Sequence, residues 1–401
     1  MKRALVLALM FVAFAGASYA GSVSPGLSSL MGTMKGGDEI TVWIVLRDQV
    51  DVESMDRQLH ALRTALPERH AEVVGELQER AASTQPSLLA DLETMRLQGA
   101  VRGFTPHWLV NSVVVRTTVE EVPALAARPD VLVVEPNLVV ELIQPVGEPH
   151  SKGADLRGGG IGITPGVVSV GARRVWEELG IDGTGAVVGI LDTGVDGAHP
   201  ALSDRWRGNF APAAHCWFNA IGDGSTTPTD THYHGTHVMG TITGLAVNDT
   251  IGVAPGALWI ASNVINQGTG SEFDNDVIAS LEFMADPDGN PFTTDDVPDV
   301  VQNSWGVNEG FPGYFDCDSR WWTAIDNCEA AGVVITWSAG NEGPGGTSLR
   351  SPADRAASPY NVFSVKSWMV APWKSRFTCW LPMPYAEART SYTAPVGIVI
   401  A

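Results

Sequence analysis

Apolar and polar positions divide the chain into two stretches of different rhythm. In the first, Ile40-Thr41-Val42-Trp43-Ile44-Val45-Leu46 is rich in β-branched residues and predicts a strand. Polar, helix-favouring sequence follows from Glu68 to Arg96, broken near Pro86. Leu109 to Val115 predicts a second strand, Glu120 to Ala127 a short helix, and Val131-Leu132-Val133-Val134 a third strand ending at Glu135-Pro136. This strand-helix-strand-helix-strand order over residues 38–142 predicts a small α+β sandwich. Residues 143–166 carry Pro145, Pro149, Gly153, Gly158, Gly159 and Gly160, which deny regular structure, while Lys152 and Arg157 make the segment cleavable.

From residue 167 the rhythm changes. Apolar runs at Ala186–Leu191, Leu258–Val264, Val300–Asn303 and Val333–Ser338 alternate with helical stretches at His234–Thr243, Asp274–Ala285 and Trp321–Ala331. Short continuous apolar strands alternating with helices predict an α/β fold, a parallel sheet with helices on both faces. In such sheets the reactive residues gather at the carboxyl ends of the strands.

Bulk properties narrow the function classes. The 401 residues have room for two domains, and a formal net charge of −20 argues against a nucleic-acid partner, which needs basic surface. Lys2-Arg3, the apolar run Ala4 to Ala15 and Ser18-Tyr19-Ala20 have the layout of a secretory signal peptide over residues 1–20. No other run is long enough to span a bilayer, so a secreted protein (extracellular or periplasmic) without a stable membrane anchor is expected. In an oxidising compartment Cys216, Cys317, Cys328 and Cys379 allow one or two disulfides, with three pairings open. The absence of a C-x-x-C pair argues against a cysteine-built zinc site.

Candidate chemistry sits where strands end. Asp192-Thr193-Gly194 closes the first apolar strand of the second unit; a lone acid there also suits a turn, but a buried carboxylate needs a partner. His234, opening the helical stretch His234-Gly235-Thr236-His237, is that partner and a candidate general base, with His237 read as a packed structural histidine and His232 as surface. Ser338-Ala339-Gly340-Asn341 ends a later strand, where the asparagine serves either the turn or an oxyanion. Asp286, Asp288, Asn290, Asp295 and Asp296 form an acidic insertion without the glycine that an EF-hand loop requires at its sixth position, and read as a solvated loop.

Asp-Thr-Gly, His-Gly-Thr-His and Ala-Gly-Asn, in that order, resemble the subtilisin-like serine proteases (peptidase S8) from about Val167 to at least Val365. Glu342-Gly343-Pro344-Gly345-Gly346 and Ser351-Pro352-Ala353 resemble the bacillopeptidase F-like branch. The resemblance implies a subtilisin-like sheet preceded by a small ferredoxin-like inhibitory propeptide domain, the latter similar also in Leu109-Val110-Asn111-Ser112. It implies that Asp192 orients the imidazole, His234 takes the nucleophile's proton and Asn341 donates to the oxyanion. Gln302-Asn303-Ser304-Trp305-Gly306 resembles one wall of the first substrate pocket and Gly268-Thr269-Gly270-Ser271 the facing edge, with Ser338 and Gly340 completing the substrate-binding set. Trp305 stands where smaller residues are usual, so it either narrows the pocket or packs in the core. Protein or peptide substrates follow, with the chain's own propeptide as intramolecular inhibitor and chaperone. No cofactor is required. The short connection Val247–Pro255 does not match the family's calcium loop, and a structural calcium has no location; no metal ligand is assigned.

The nucleophile departs from the family pattern. Thr390-Ser391-Tyr392-Thr393-Ala394-Pro395 superficially matches the serine turn, but Arg389 replaces its glycine. Trp373-Lys374-Ser375-Arg376 and Thr393–Ile398 instead resemble the segment and strand that precede the serine, which makes Ser391 a decoy and places the nucleophile past the last residue given. The expected function is a secreted serine endopeptidase precursor; the rivals are a catalytically inactive pseudoprotease or peptide-binding protein of the same fold and, more distantly, a metallohydrolase using Asp192, His232 and His234.

Overall fold

Proline and small polar caps mark the helix starts of the first unit, in which β1 (Ser22–Val23), α1 (Pro25–Met31), β2 (Glu39–Leu46), α2 (Val52–Leu62), α3 (Leu66–Thr84), α4 (Pro86–Gln98), β3 (Val101–His107), β4 (Ser112–Thr118), α5 (Val122–Ala126) and β5 (Val131–Pro136) follow one another. This is a computed structural model, and it describes residues 20–138, 141–142, 162–265, 273–307, 319–341, 349–355 and 363–365. Ser24 caps α1 and Asp51 caps α2 through their side chains, and α1, α3, α4 and α5 each carry proline in the first turn, where its missing N–H costs nothing. The strands form one sheet in the order β1-β5-β2-β4-β3. Neighbours β5-β2-β4-β3 are antiparallel, the arrangement of a split β-α-β unit, and β1 adds in parallel at the edge.

This unit is larger than the pattern reading allows. The strand expected at Leu109–Val115 begins instead at Ser112, and β3, which pairs with it as a hairpin, was missed together with β1, α1 and α2. Leu109 and Val110 are apolar because they form the hairpin connection and are buried against the second unit, not because they alternate along a strand.

After β6 (Glu141–Leu142) the second unit opens with β7 (Gly162–Ile163), α6 (Pro165–Ser169) and α7 (Ala172–Arg174). The linker expected to run to residue 166 is therefore structured from Gly162, whose N–H donates to Asn248 O at 3.0 Å. Next come β8 (Val187–Leu191), β9 (Trp217–Phe218), α8 (His234–Thr243), β10 (Leu245–Ala246), β11 (Asp249–Thr250), β12 (Leu258–Ser262), α9 (Phe273–Ala285), β13 (Val300–Asn303), β14 (Trp305–Gly306), α10 (Trp322–Ala331), β15 (Val334–Ser338) and β16 (Phe363–Val365). Six strands form a parallel sheet, β16-β15-β13-β8-β12-β9. Alternation along β8 explains its cover on both faces: Val187 and Leu191 join the core of α9 and α10, while Val188 and Ile190 join Val238, Met239 and Ile242 of α8.

Helices α9 and α10 also receive the first unit. Trp43, Val73, Val74, Leu77 and Leu109 share one apolar core with Leu281, Ala324 and Ala331, so burial continues across the junction. Cys216 and Cys328 are buried free thiols: Cys216 Sγ lies 3.5 Å from the Arg207 guanidinium, and the Cys328 thiol donates to Leu281 O at 3.5 Å. Of the disulfides that four cysteines allow, neither of these two takes part in one; Cys317 and Cys379 lie outside the described residues. The signal-peptide run before residue 20 also lies outside them, and no helix among the described residues is long and apolar enough to cross a membrane.

Candidate active site

The chain enters the sheet at β8, builds β9 and β12 to one side, then returns to build β13, β15 and β16 on the other. The crevice between β8 and β13 is a topological switch point, and the register places Leu191 beside both Asn303 and Ser262 and Asn303 beside Trp337. Asp192, Ser304 and Ser338 therefore gather at one carboxyl edge.

Asp192 is fully buried. Its Oδ1 accepts from Thr193 N at 2.7 Å and from His234 Nδ1 at 2.7 Å. With Nδ1–H committed to the carboxylate, Nε2 is the nitrogen left with the lone pair. Two glycines make the approach. Gly194 has φ +101°, and a Cβ there would sit 2.0 Å from Thr229 O; a Cβ on Gly235 would sit 2.1 Å from Gly194 O. Any larger residue at either position would push the helix start away from the carboxylate.

Asp230, which the sequence reading missed, organises this corner. Its Oδ1 accepts from Thr193 Oγ1 (2.9 Å), His232 N (2.9 Å) and Tyr233 N (2.8 Å), and its Oδ2 from Thr236 N (2.9 Å) and Thr236 Oγ1 (2.6 Å). Thr193 Oγ1 in turn accepts from Gly235 N at 3.0 Å. One carboxylate thus anchors the Asp192 turn to the N-terminus of α8, where negative charge is also favoured by the helix dipole. An acid four residues before the first helical position was the available signal.

Asn341 follows Gly340, whose φ of +88° turns the chain after β15, and is exposed at that edge; Ser338 Oγ is buried with no partner among the described residues. Ser304 Oγ takes a hydrogen bond from Gln302 Nε2 at 3.1 Å. Of the two alternatives for the Trp305 side chain, the structure has core packing: it is fully buried, meets Phe273, Trp321 and Trp337 edge to face, and donates Nε1–H to Asn303 Oδ1 at 3.1 Å. Its side chain is core. Its backbone, with Gly306, pairs antiparallel with Leu142 and Glu141 of β6. Gly268, Gly270 and Ser391 lie outside the described residues.

His237 is exposed, not packed, because Val238, Met239 and Ile242 take the inward face of α8. His232 is half-buried with Nδ1 unpartnered among the described residues, so it is not a simple surface histidine. Among the described residues, the donor atoms that lie close enough to share an ion belong to His215, Asp288 and Asp296, not to the Asp192, His232 and His234 trio. Nor is the acidic insertion a solvated loop, since Asp286 and Asp296 are buried.

Comparison with known proteins gives the same picture. The model of the subtilase family matches residues 183–386. The chain is 31% identical to Bacillopeptidase F of Bacillus subtilis (strain 168) over 396 residues, covering 92% of this chain and 26% of that protein. It is 33% identical to the Minor extracellular protease Vpr of the same organism over 242 residues, 58% of this chain and 27% of Vpr. It is 30% identical to Fervidolysin of Fervidobacterium pennivorans over 257 residues, 58% of this chain and 33% of that protein. The chain thus spans about a quarter to a third of the length of these relatives.

Proposed function

This chain belongs to the subtilase family, and we propose that it is the precursor of a secreted serine endopeptidase in which His234 is the general base and Asp192 its orienting carboxylate. The observation that carries the proposal is the 2.7 Å His234 Nδ1–H···Oδ1 Asp192 bond at the sheet's switch point, which aims Nε2 to receive a proton. A serine whose hydroxyl proton passes to Nε2 attacks the scissile carbonyl, the imidazolium is stabilised by Asp192, and the amine leaves with the proton; water then repeats the sequence on the acyl-enzyme. Asn341, in its exposed position after β15, would donate its side-chain amide to the carbonyl oxygen as negative charge develops.

The substrate would add as a strand along Trp305–Gly306, where backbone hydrogen bonds hold it, with residues 268–270 as the opposite edge. That position is taken by the chain's own β6. This supports reading the first unit as an inhibitory propeptide, residues 143–161 between the units as the processing linker, and the first unit's contact with α9 and α10 as the surface on which it assists folding. The docking is specific: Glu282 accepts from Trp108 N (2.5 Å), Leu109 N (3.1 Å) and the His107 ring (3.1 Å), and Asn137 Oδ1 accepts from Asp274 N at 2.9 Å. The basic-apolar-small run at residues 1–20 supports export. Thr393–Ile398 is read as the strand before the serine loop, with Ser391 not the nucleophile.

Mass spectrometry and labelling with a serine-directed fluorophosphonate, with host proteases inhibited, test this. A chain extended to include the serine loop is expected to cut itself within residues 143–161 and to take the label, and His234→Ala to do neither. Residues 1–401 alone are expected to stay whole and unlabelled. A linker cut that Ser391→Ala abolishes would make Ser391 the nucleophile. Peptide binding without cleavage or labelling in the longer chain would replace the protease reading with that of a binding protein.

A further inference from the structure

Away from the Asp192–His234 pair, the loop that enters β13 approaches the residue that enters edge strand β9. Here one donor atom each of His215, Asp288 and Asp296 lie within 4.8 Å of one another. Asp296 is 2% exposed, and neither of its carboxylate oxygens has a hydrogen-bond partner among the described residues. A buried carboxylate with both oxygens unanswered is costly, and a second carboxylate beside it adds like-charge repulsion. The charged neighbours do not remove the problem. The opposite charge nearest at hand is the Arg207 guanidinium. That guanidinium is directed elsewhere, donating to Asp295 O at 3.2 Å and lying 3.5 Å from Cys216 Sγ.

The structure assigns to His215, Asp288 and Asp296 a binding site for a divalent transition cation of the zinc class. The donor set decides the class: one imidazole nitrogen and two carboxylates suit zinc, whereas calcium takes oxygen ligands alone. Three protein ligands leave one tetrahedral position for water. Bonds of about 2.0–2.1 Å require ligand atoms roughly 3.3 Å apart, so donors already within 4.8 Å need only side-chain rotations to close. The residues come from two segments, the short turn before β9 and the loop between α9 and β13, so an ion would pin the sheet's edge to the loop behind α9. Its function would be structural. None of it depends on the roles given to Asp192 and His234.

The test uses the full chain, stripped with a chelator and dialysed against zinc chloride, with bound metal counted by elemental mass spectrometry. Wild-type protein is expected to hold one zinc more than Asp296→Asn, a near-isosteric change whose fold is checked by circular dichroism. His215→Gln is expected to weaken that zinc at least tenfold. Zinc should raise the melting temperature of the wild type and not of Asp296→Asn, and cobalt(II) should give visible d–d bands that His215→Gln diminishes. Equal zinc uptake by wild type and Asp296→Asn would overturn the assignment by showing that bound zinc sits elsewhere. So would stabilisation by calcium but not zinc, or cobalt bands indifferent to His215.

Discussion

Asp192 and Asp274 are both fully buried carboxylates of the second unit, and their surroundings differ in one respect that separates chemistry from architecture. Asp274 is answered on both oxygens: Oδ1 accepts from Trp321 Nε1 at 2.8 Å, and Oδ2 from Leu138 N at 2.9 Å and the Arg320 guanidinium at 3.3 Å. Asp192 uses Oδ1 for Thr193 N and His234, while Oδ2 has no partner among the described residues. The first carboxylate is neutralised where it stands and holds the two units together. In the proposed reaction the second carboxylate, with Oδ2 unanswered among the described residues, would stabilise an imidazolium that exists only transiently, which is the condition for favouring a transient state over the resting one.

The sharpest way to break this comparison is Asp192→Asn in a chain carrying its nucleophile. The amide keeps an acceptor for Thr193 N and removes a buried charge, so thermal stability should stay close to the parent's. His234 would face a neutral amide that no longer stabilises the imidazolium and whose NH2, turned toward Nδ1, imposes the other tautomer, and kcat is expected to fall about 10⁴-fold, the scale known for the corresponding change in a serine-protease triad. Turnover near the parent's would show that Asp192 is architecture after all.

Asp274→Ala should behave in the opposite sense. Arg320, with its side chain fully buried, would retain Pro136 O at 2.7 Å and a longer 3.6 Å approach to Glu135. Removing one partner of such a pair costs about 3–5 kcal/mol. Urea unfolding should show that loss, and limited proteolysis should cut near residue 138 much faster than in the parent. A stability loss under 1 kcal/mol (roughly the worth of an exposed ion pair) would mean that the network does not anchor the first unit.

The difference between these carboxylates also explains what was legible in the sequence. Strands ending in Asp192 and Asn341 and a helix opening at His234 could be read because each is local: an apolar run, a stop and a reactive residue within ten positions. The Asp192–His234 pairing needed only the ordered motif set. Asp230 was missed because three of its partners are backbone N–H groups and its one sequence signal, an acid four residues before the helix, also suits an ordinary turn. Trp305 was ambiguous because orientation at a strand's end depends on three aromatics distant in sequence. The Asp274–Arg320–Leu138 network joins residues more than 40 positions apart across two units, so no periodicity announces it. Asp286 and Asp296 were misread for a related reason: an acid-rich loop looks solvated until packing buries two of its members.

The smallest expected effect sharpens the comparison by adding pH. His70 of α3 lies in the docking interface, 1% exposed, with Nδ1–H donating to Ala331 O at 3.2 Å and Nε2 unpartnered among the described residues. Burial holds its pKa below the ordinary 6.5, with Asp286 and Asp288 pulling the other way. The docked state therefore binds fewer protons than the released one. Docking is at full strength above about pH 6.5 and weakens as pH falls below it, until the lowered pKa is passed. Facing it, Asp286 accepts from Gln78 Nε2 at 2.9 Å and has its pKa raised by burial, which favours docking as pH falls and opposes the His70 trend at the acid end. His70→Asn preserves an N–H donor for Ala331 O and cannot titrate. Between about pH 8 and pH 5, protease susceptibility near residue 138 should rise in the wild type, at about 1.4 kcal/mol of docking energy per unit by which the pKa is lowered. In His70→Asn it should stay flat or fall slightly as Asp286 takes up its proton. Superimposed curves for the two proteins would remove His70 from the pH response and leave the interface, like Asp274, to act by static complementarity alone.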